Sequence, residues 1–120
     1  MQLKGPVPIL YVTNMDESIH FYSDVLGFRC ANRTDGWAML QCGLAEIMLS
    51  LPNANLPFDK PAFTGSFYFQ AEDVNSLWEN LRDRAAVVYA PENFDYGMRE
   101  FAILDNNGYI LQFGQEIVAP

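Results

Sequence analysis

The sequence lacks any long apolar run, and it contains few cysteines, few basic side chains and a single histidine. No apolar stretch reaches the roughly 18 residues that a transmembrane helix requires, and Met1–Lys4 carries no signal-peptide-like hydrophobic segment. We therefore expect a soluble, cytoplasmic protein that is not exported and has no membrane partner.

The scarcity of cysteine limits the metal and redox chemistry of the chain. Cys30 and Cys42 are the only two, and they share no CxxC spacing, which disfavours a zinc site. A disulfide between them is geometrically possible. Without an export signal, two reduced and partly buried thiols are the expectation.

Basic residues are outnumbered by acidic ones, seven to fifteen, which gives a net charge of −8. Nucleic acids and anionic membranes bind clustered Lys and Arg, so neither is an expected partner. Residues 1–60 carry −2 and residues 61–120 carry −6. An acidic surface attracts cationic ligands over long range, although the charge can also serve solubility alone; both interpretations stay open.

What the sequence does contain is an internal repeat. In the first half an apolar run, Val7–Val12, precedes Asn14 and Glu17, which have the spacing of a capped helix start. Met15, Ile19, Tyr22 and Leu26 predict one apolar helix face that ends at Gly27. Three strands are then predicted over Phe28–Thr34, Trp37–Gln41 and Ala45–Leu51, separated by turns at Asp35-Gly36 and at Gly43.

The second half repeats this order with an offset of 59 residues. A strand is predicted over Ser66–Gln70, and Asp73 starts a helix with Val74, Trp78, Leu81 and Ala85 on one face. The last strands are predicted over Val87–Ala90, Arg99–Leu104 and Tyr109–Gly114, with a hairpin turn at Asn107-Gly108.

These patterns predict an α+β fold in a single domain, residues 1–120. It consists of two βαβββ modules, about 5–52 and 65–116, joined by a proline-containing connector, Pro52–Gly65. Each module is expected to form a curved, mostly antiparallel sheet with a helix outside it and a concave pocket face. A chain this short buries a limited core, so dimerisation is a natural way to add buried area.

Two segments carry a resemblance to a known family. The opening, with Ser18-Ile19-His20-Phe21-Tyr22 and Val25-Leu26-Gly27-Phe28, resembles the vicinal-oxygen-chelate proteins. The run Tyr96-Gly97-Met98-Arg99-Glu100-Phe101 before Asp105 to Gly108 resembles the closing motif of the bleomycin-resistance branch. The likeness to this glyoxalase/bleomycin-resistance/dioxygenase superfamily extends over residues 5–116.

The resemblance implies a divalent metal in the metal-dependent relatives, held by four side chains on the concave faces. The matching positions here are Val7, Met48, Ser66 and Gln112, with Leu49 or Ser50 in place of Met48 if the register slips. Only Gln112 is a credible ligand among them. We therefore expect no metal, no cofactor and no catalytic residue.

Two other side chains, His20 and Glu46, are candidates for chemistry. His20 lies within the first predicted helix, where a lone histidine is more often at the surface or an interface than a ligand. Glu46 has the pleat phase of Met48 and could face the cavity, but solvent near a turn is slightly favoured.

The resemblance implies a homodimer that encloses two ligand grooves between subunits. Pro8 is predicted to lie inside the first strand. A proline at the matching position accompanies exchange of the N-terminal strand between subunits in the proteins that this chain resembles, and the same exchange is an expectation here. Aromatic rings suit planar cationic ligands, while Phe69, Phe101 and Phe113 are expected in the core. Phe94 is a weaker aromatic candidate. Arg99 and Glu100 are interpreted as a structural ion pair rather than a ligand anchor. The expected ligand-binding residues are Trp37, Ser50, Phe58, Phe63, Tyr96, Gly97 and Gln112.

The leading hypothesis is a metal-free dimeric protein that sequesters a bulky, cationic and partly aromatic small molecule, with bleomycin-type antibiotics as the first guess. The alternative is a divergent lyase, isomerase or dioxygenase of the same superfamily with an atypical or absent metal site. A third class is a non-catalytic partner domain that has lost the pocket.

Overall fold

A computed structural model of the protein describes residues 1–53 and 58–118. Residues 54–57 of the predicted connector, and residues 119–120, lie outside the described residues. The chain divides into two compact units, Met1–Pro61 and Ala62–Pro120.

Each unit has the predicted order of one strand, one helix and three strands. Unit 1 contains β1 (Ile9–Tyr11), α1 (Met15–His20), β2 (Arg29–Arg33), β3 (Trp37–Cys42) and β4 (Ala45–Ser50). Unit 2 contains β5 (Phe67–Gln70), α2 (Val74–Leu81), β6 (Ala86–Asn93), β7 (Met98–Leu104) and β8 (Ile110–Glu116). The predicted α+β class and the repeat of βαβββ are confirmed.

The two sheets share one topology. Their strand orders are β1-β4-β3-β2 and β5-β8-β7-β6, and both sheets are open. The first strand of each unit pairs in parallel with the last, and the remaining pairs are antiparallel. That the two units form a single domain, and that their faces are concave, stays a prediction.

The first helix departs from the predicted straight apolar face. Its start is as expected, because the Asn14 side chain accepts a hydrogen bond of 3.0 Å from the Glu17 backbone N–H. After His20 the chain continues as a π-helical turn, Phe21–Val25, which holds more residues per turn than an α-helix. The buried face therefore shifts to include Phe21, while Leu26 is only half-buried.

The second helix begins at the predicted cap and ends earlier than predicted. The Asp73 side chain accepts a hydrogen bond of 3.1 Å from the Ser76 backbone N–H. Val74 and Leu81 are buried. Ala85 lies beyond the end of the helix, so its place on the predicted face was wrong.

One face of the unit 2 sheet packs against α2 through aromatic rings. Phe69 and Phe101 each stack on Phe113, at centroid distances of 5.4 and 5.2 Å. Trp78 of α2 meets the Phe101 ring edge-on at 5.4 Å. The structural role predicted for these three phenylalanines is confirmed. Because side chains alternate along a strand, this packing leaves the polar side chains of the same strands on the opposite face.

The structure also places the two cysteines and Pro8, and it bears on membrane insertion. Cys30 is half-buried, but Cys42 is exposed rather than partly buried, and both thiols are free. Pro8 directly precedes β1 instead of lying inside it, at a position where its missing N–H interrupts no ladder. No helix among the described residues is long and apolar enough to cross a membrane. The cytoplasmic location stays a prediction.

Candidate functional site

A buried carboxylate lies on the unit 2 sheet face opposite α2. Glu100 of β7 is only 1% exposed. The strand register pairs Glu100 with Gly114, and it places Gln112 opposite both Tyr68 and Ala102. Tyr89 also pairs with Ala102. Because paired residues project to the same side of a sheet, strands β5 to β8 direct these polar side chains to one face.

Four hydrogen bonds converge on the Glu100 carboxylate. The Tyr68 hydroxyl donates to Oε1 at 3.0 Å, and the Tyr96 hydroxyl donates to the same oxygen. The Tyr89 hydroxyl donates to Oε2, and the Gln112 amide donates to Oε2 at 3.1 Å. We call these five residues the Glu100 cluster.

The Gln112 side chain is fixed on both sides. Its amide nitrogen also donates to the Tyr89 hydroxyl oxygen at 2.8 Å, and its carbonyl oxygen accepts a hydrogen bond from the Ser66 hydroxyl. No buried side-chain polar atom among the described residues lacks a hydrogen-bond partner. The polar network is thus complete, as a buried network must be to avoid a large desolvation cost.

These contacts set the protonation states in the cluster. Burial acts to raise the pKa of Glu100, but the hydrogen bonds from Tyr89, Tyr96, Tyr68 and Gln112 together outweigh burial and lower that pKa. Burial, with the hydrogen bond to Glu100 and its charge, raises the pKa of Tyr68 to about 12. The hydrogen bond to Glu100 is the main cause that raises the pKa of Tyr96. At neutral pH the cluster therefore contains one carboxylate and neutral phenols.

A four-residue loop between β6 and β7 places Tyr96 over the carboxylate. The Phe94 N–H donates to the Met98 carbonyl at 2.8 Å, and the Gly97 N–H donates to the Phe94 carbonyl at 3.0 Å. Gly97 has a φ of +86°, in the left-handed region that glycine adopts without strain. Phe94 stacks on the Tyr96 ring at 5.5 Å. The loop thus fixes Tyr96, whose residue surface is 64% exposed.

Gly114 provides the space that the Tyr68 side chain occupies. A Cβ atom at Gly114 would lie 1.7 Å from the Tyr68 hydroxyl oxygen, which is impossible without movement of the ring. Glycine in a buried strand often marks such a close approach. Tyr68 remains 41% exposed, so its outer side is open.

Unit 1 brings three of the predicted ligand-binding residues to one sheet face. Trp37 pairs with Ser50, and Tyr11 pairs with Ser50 from the other side. The Tyr11 ring contacts Phe58 edge-on at 5.6 Å. The Ser50 hydroxyl donates to the Leu51 carbonyl at 2.8 Å, so its proton is engaged by the backbone and its oxygen can act toward a ligand as an acceptor.

The structure separates the other predicted residues. Tyr96 and Gln112 belong to the Glu100 cluster, and Gly97 forms the turn beside it. Phe63 instead packs on Phe67 at 4.5 Å, and Phe67 belongs to the opposite face of β5 from Tyr68.

The interpretation of Arg99 and Glu100 as an ion pair was wrong. Consecutive residues of β7 project to opposite faces of the sheet. Arg99 donates to the side-chain oxygens of Asn75 at 2.9 Å and of Asn93 at 3.1 Å. The Glu100 carboxylate binds only neutral donors in the described part of unit 2.

His20 and Glu46 take no part in the Glu100 cluster. His20 lies at the surface and pairs with Asp24 at 2.9 Å, as expected for a lone helix histidine. Glu46 shares the sheet face of Met48 and accepts a hydrogen bond of 3.1 Å from the Gln41 amide. Glu46 is half-buried there, a position that agrees with both the solvent and the cavity interpretation of the sequence.

The four superfamily metal positions do not fit a divalent ion. The register confirms that Met48 and Gln112 correspond, because Met48 pairs with Ile9 and Gln112 pairs with Tyr68, 59 residues later. Val7 has no donor atom, and the Ser66 hydroxyl and the Gln112 carbonyl are engaged with each other. Across the described residues no three His, Cys, Asp or Glu side chains form a group that could hold a metal.

The protonation states limit the acid–base chemistry of the Glu100 cluster. Both Glu100 oxygens are saturated with hydrogen bonds, and a lowered pKa makes this carboxylate a weak base. The raised pKa values of the tyrosines equally disfavour phenolate nucleophiles. What remains on the exposed side is aromatic surface and hydroxyl oxygen above a buried negative charge.

Sequence reasoning missed Glu100, Tyr68, Tyr89 and Gly114 as site residues. Two signals could have found them. For Glu100, a glutamate within a predicted strand and next to Phe101 is buried only with partners, and for Gly114, a glycine within a strand pattern suggests close approach.

Comparisons with known proteins agree with this architecture. The family model described as Glyoxalase/Bleomycin resistance protein/Dioxygenase superfamily matches residues 6–113. Proteins named bleomycin resistance protein from Geobacillus stearothermophilus and from Staphylococcus aureus are 27% identical to this chain, over 92% of it and 96% of their own length.

Solved structures show the same fold at lower identity. A protein of unknown function from Agrobacterium tumefaciens has a TM-score of 0.81 at 17% identity and covers 98% of this chain and 97% of its own. A lactoylglutathione lyase from the same species has a TM-score of 0.72 at 20% identity, with 96% of each chain covered.

Proposed function

We propose that this chain, which belongs to the glyoxalase/bleomycin resistance protein/dioxygenase superfamily, sequesters a bulky, cationic and partly aromatic small molecule without changing it chemically. The Glu100 cluster is the observation that carries this proposal. It combines a buried negative charge with partly exposed tyrosine rings, and it offers no activated nucleophile or base.

Charge supports a cationic ligand. Unit 2 carries nine acidic and three basic residues, a net −6. Its basic residues include Arg82, which lies over the Trp78 ring, and Arg99, which belongs to the helix side of the sheet. The register adds Glu92 and Glu116 to the sheet face of Glu100, so this face carries negative charge, and such a field raises the association rate of cations.

Aromatic surface supports a ligand with planar groups. Tyr96 stacks with Phe94 beside the cluster, and unit 1 supplies a second surface from Trp37, Tyr11 and Phe58. A cation over such a ring gains about 0.5–2 kcal/mol, depending on desolvation. We assign Trp37, Ser50 and Phe58 to ligand contact as part of this proposal.

The named relatives suggest the first ligand to test. Proteins named bleomycin resistance protein share 27% of their residues with this chain over nearly its whole length. Bleomycin-type antibiotics are therefore the concrete candidates, bound without a protein-held metal. We further propose a homodimer, which would add buried area to a chain of 120 residues.

Tryptophan fluorescence tests this proposal directly. Trp37 belongs to the open sheet face of unit 1, whereas Trp78 belongs to α2 and contacts Phe101. Titration of EDTA-treated protein with metal-free bleomycin is expected to quench the fluorescence in a saturable way at micromolar or lower concentration.

A matched pair of variants identifies the reporter. In Trp37→Phe the quenching should vanish, and in Trp78→Phe it should persist. An unchanged spectrum of the wild-type protein in a large excess of drug would eliminate bleomycin as the ligand. Equal quenching in both variants would contradict the role of Trp37.

A further inference from the structure

We infer that the outward-facing hydroxyl oxygens of Tyr68, Tyr89 and Tyr96 form a subsite for an organic cation that bears N–H groups: a primary ammonium, an amidinium or a guanidinium. This inference rests on the proposed binding function and specifies the chemical group that the Glu100 cluster recognises.

The three tyrosine hydroxyl protons of the Glu100 cluster all point toward Glu100. An ionised carboxylate can only accept hydrogen bonds, so each of the three phenols must donate its proton inward to Glu100. A phenol has one proton. Glu100 uses none of the lone pairs of the phenol oxygen, so the hydroxyl oxygens of Tyr68 and Tyr96, residues that are 41% and 64% exposed, can act toward a ligand only as acceptors.

The amide of Gln112 does not offset this polarity. Its nitrogen donates to Glu100 and to the Tyr89 hydroxyl oxygen, and its oxygen is occupied by Ser66. Tyr89 therefore keeps one unused lone pair, and the amide protons are consumed within the cluster. We call the hydroxyl oxygens of Tyr68, Tyr89 and Tyr96 the acceptor rim. A ligand that approaches this rim meets oxygen lone pairs and no free donor of the Glu100 cluster.

The charge of Glu100 favours a cationic ligand. No Lys, Arg or His of unit 2's described residues lies within ion-pair distance of Glu100, so its charge is balanced only by hydrogen bonds. Hydrogen bonds spread this charge toward the phenol oxygens. The rim therefore combines acceptor atoms with a negative potential, which favours a cationic donor over a neutral one.

Aromatic rings adjoin the hydroxyl oxygens and also attract cations. Tyr96 and its stacked neighbour Phe94 offer aromatic faces next to the rim, with centroids 5.5 Å apart. Ring faces alone attract a quaternary ammonium as well as a primary one. The acceptor rim distinguishes the two, because a quaternary ammonium has no N–H to donate.

Four probes that share one benzyl or phenyl ring test the assignment: benzamidinium, benzylammonium, benzyltrimethylammonium and benzyl alcohol. Binding is followed by the backbone amide NMR signals of Gly97 and Gly114, which adjoin Tyr96 and Tyr68. We expect both N–H cations to bind about tenfold more tightly than the alcohol and about threefold more tightly than the quaternary cation.

Variants attribute the preference to the cluster. In Glu100→Gln the affinity for benzamidinium should fall about tenfold, while in Glu79→Gln, an equal charge change at an exposed position of α2 on the other side of the sheet, it should change less than about twofold. If Glu100→Gln does not fold, Tyr96→Phe decides the matter through an expected loss of about threefold. Equal affinities for all four probes, or a folded Glu100→Gln that binds benzamidinium like the wild type, would overturn the inference.

Bleomycin titrations of the same variants separate this inference from the proposed function. Saturable bleomycin binding together with no preference among the probes would leave sequestration intact and refute the subsite. The expected probe order without any bleomycin binding would support the subsite and refute bleomycin as the ligand.

Discussion

At the scale of single residues, Glu100 stays ionised because four neutral donors replace the water that it loses on burial. Charge-assisted hydrogen bonds of this kind contribute about 1.5–3 kcal/mol each when their alternative is an unsatisfied buried charge. The same four bonds hold the tyrosine rings in place. One side chain therefore sets both the charge and the shape of the candidate site.

Acid stability should report the ionisation of Glu100. Its pKa in the folded chain lies below its ordinary 4.5. The carboxylate therefore stabilises the fold above that value, and the contribution is lost as the pH falls through the lower folded pKa. In urea unfolding, the wild type should lose more stability between about pH 6 and about pH 3 than Glu100→Gln.

The exposed Glu79→Gln variant, on α2 and on the other side of the sheet, is the control for this comparison. Its acid profile should follow that of the wild type. At neutral pH Glu100→Gln should itself lower the free energy of unfolding by about 2 kcal/mol, since the amide nitrogen that replaces one carboxylate oxygen is a donor and cannot accept the two hydrogen bonds made to that oxygen. Identical acid profiles of wild type and Glu100→Gln would contradict the ionised state assigned here.

At the scale of secondary-structure elements, the site depends on how β5 lies against β8. The parallel pairing brings Tyr68 beside Gln112 and its ring over Gly114. Alternation along β7 separates Glu100 from Arg99, with the aromatic core on one side and the cluster on the other. The strands thus sort polar from apolar side chains without any irregular backbone in β5, β7 or β8.

Gly114→Ala should disrupt the cluster through Tyr68. The new Cβ requires the ring to move and to give up its hydrogen bond to Glu100, so we expect a loss of about 1–2 kcal/mol in the free energy of unfolding. Gly36→Ala is the matched control, because nothing lies within 4 Å of a Cβ there.

A double-mutant cycle gives this prediction its sharper form. In a Tyr68→Ala background the clash disappears, and Gly114→Ala should become nearly neutral. An equal cost in both backgrounds would show that Gly114 does not act through Tyr68.

Local patterns sufficed to predict most of these elements. The caps at Asn14 and Asp73 and the turn at Asn107-Gly108 depend on neighbours within a few residues, and all three lie where they were predicted. The π-helical turn after His20 could not be predicted, since it depends on packing beneath the helix. The predicted ion pair failed because it treated neighbours in sequence as neighbours in space.

At the scale of the whole molecule, the repeat and the motif resemblance were enough to predict the family and the βαβββ order of elements in each unit. The assembly of the Glu100 cluster could not be predicted even where single members carried a signal, because its members come from four strands and a loop, and only the register brings them together. Its tyrosines also look like ordinary core residues in the sequence. The excess of acidic residues in unit 2 follows from the composition, but the composition does not predict which carboxylate is buried at the site.

Sedimentation velocity of EDTA-treated protein mixed with metal-free bleomycin, recorded at separate protein and drug wavelengths, tests the central claim most directly. The account predicts one boundary with the mass of two 13.6-kDa chains, in which the drug co-sediments at one molecule per chain. Drug that stays at the sedimentation rate of a free small molecule while the protein sediments alone would contradict it.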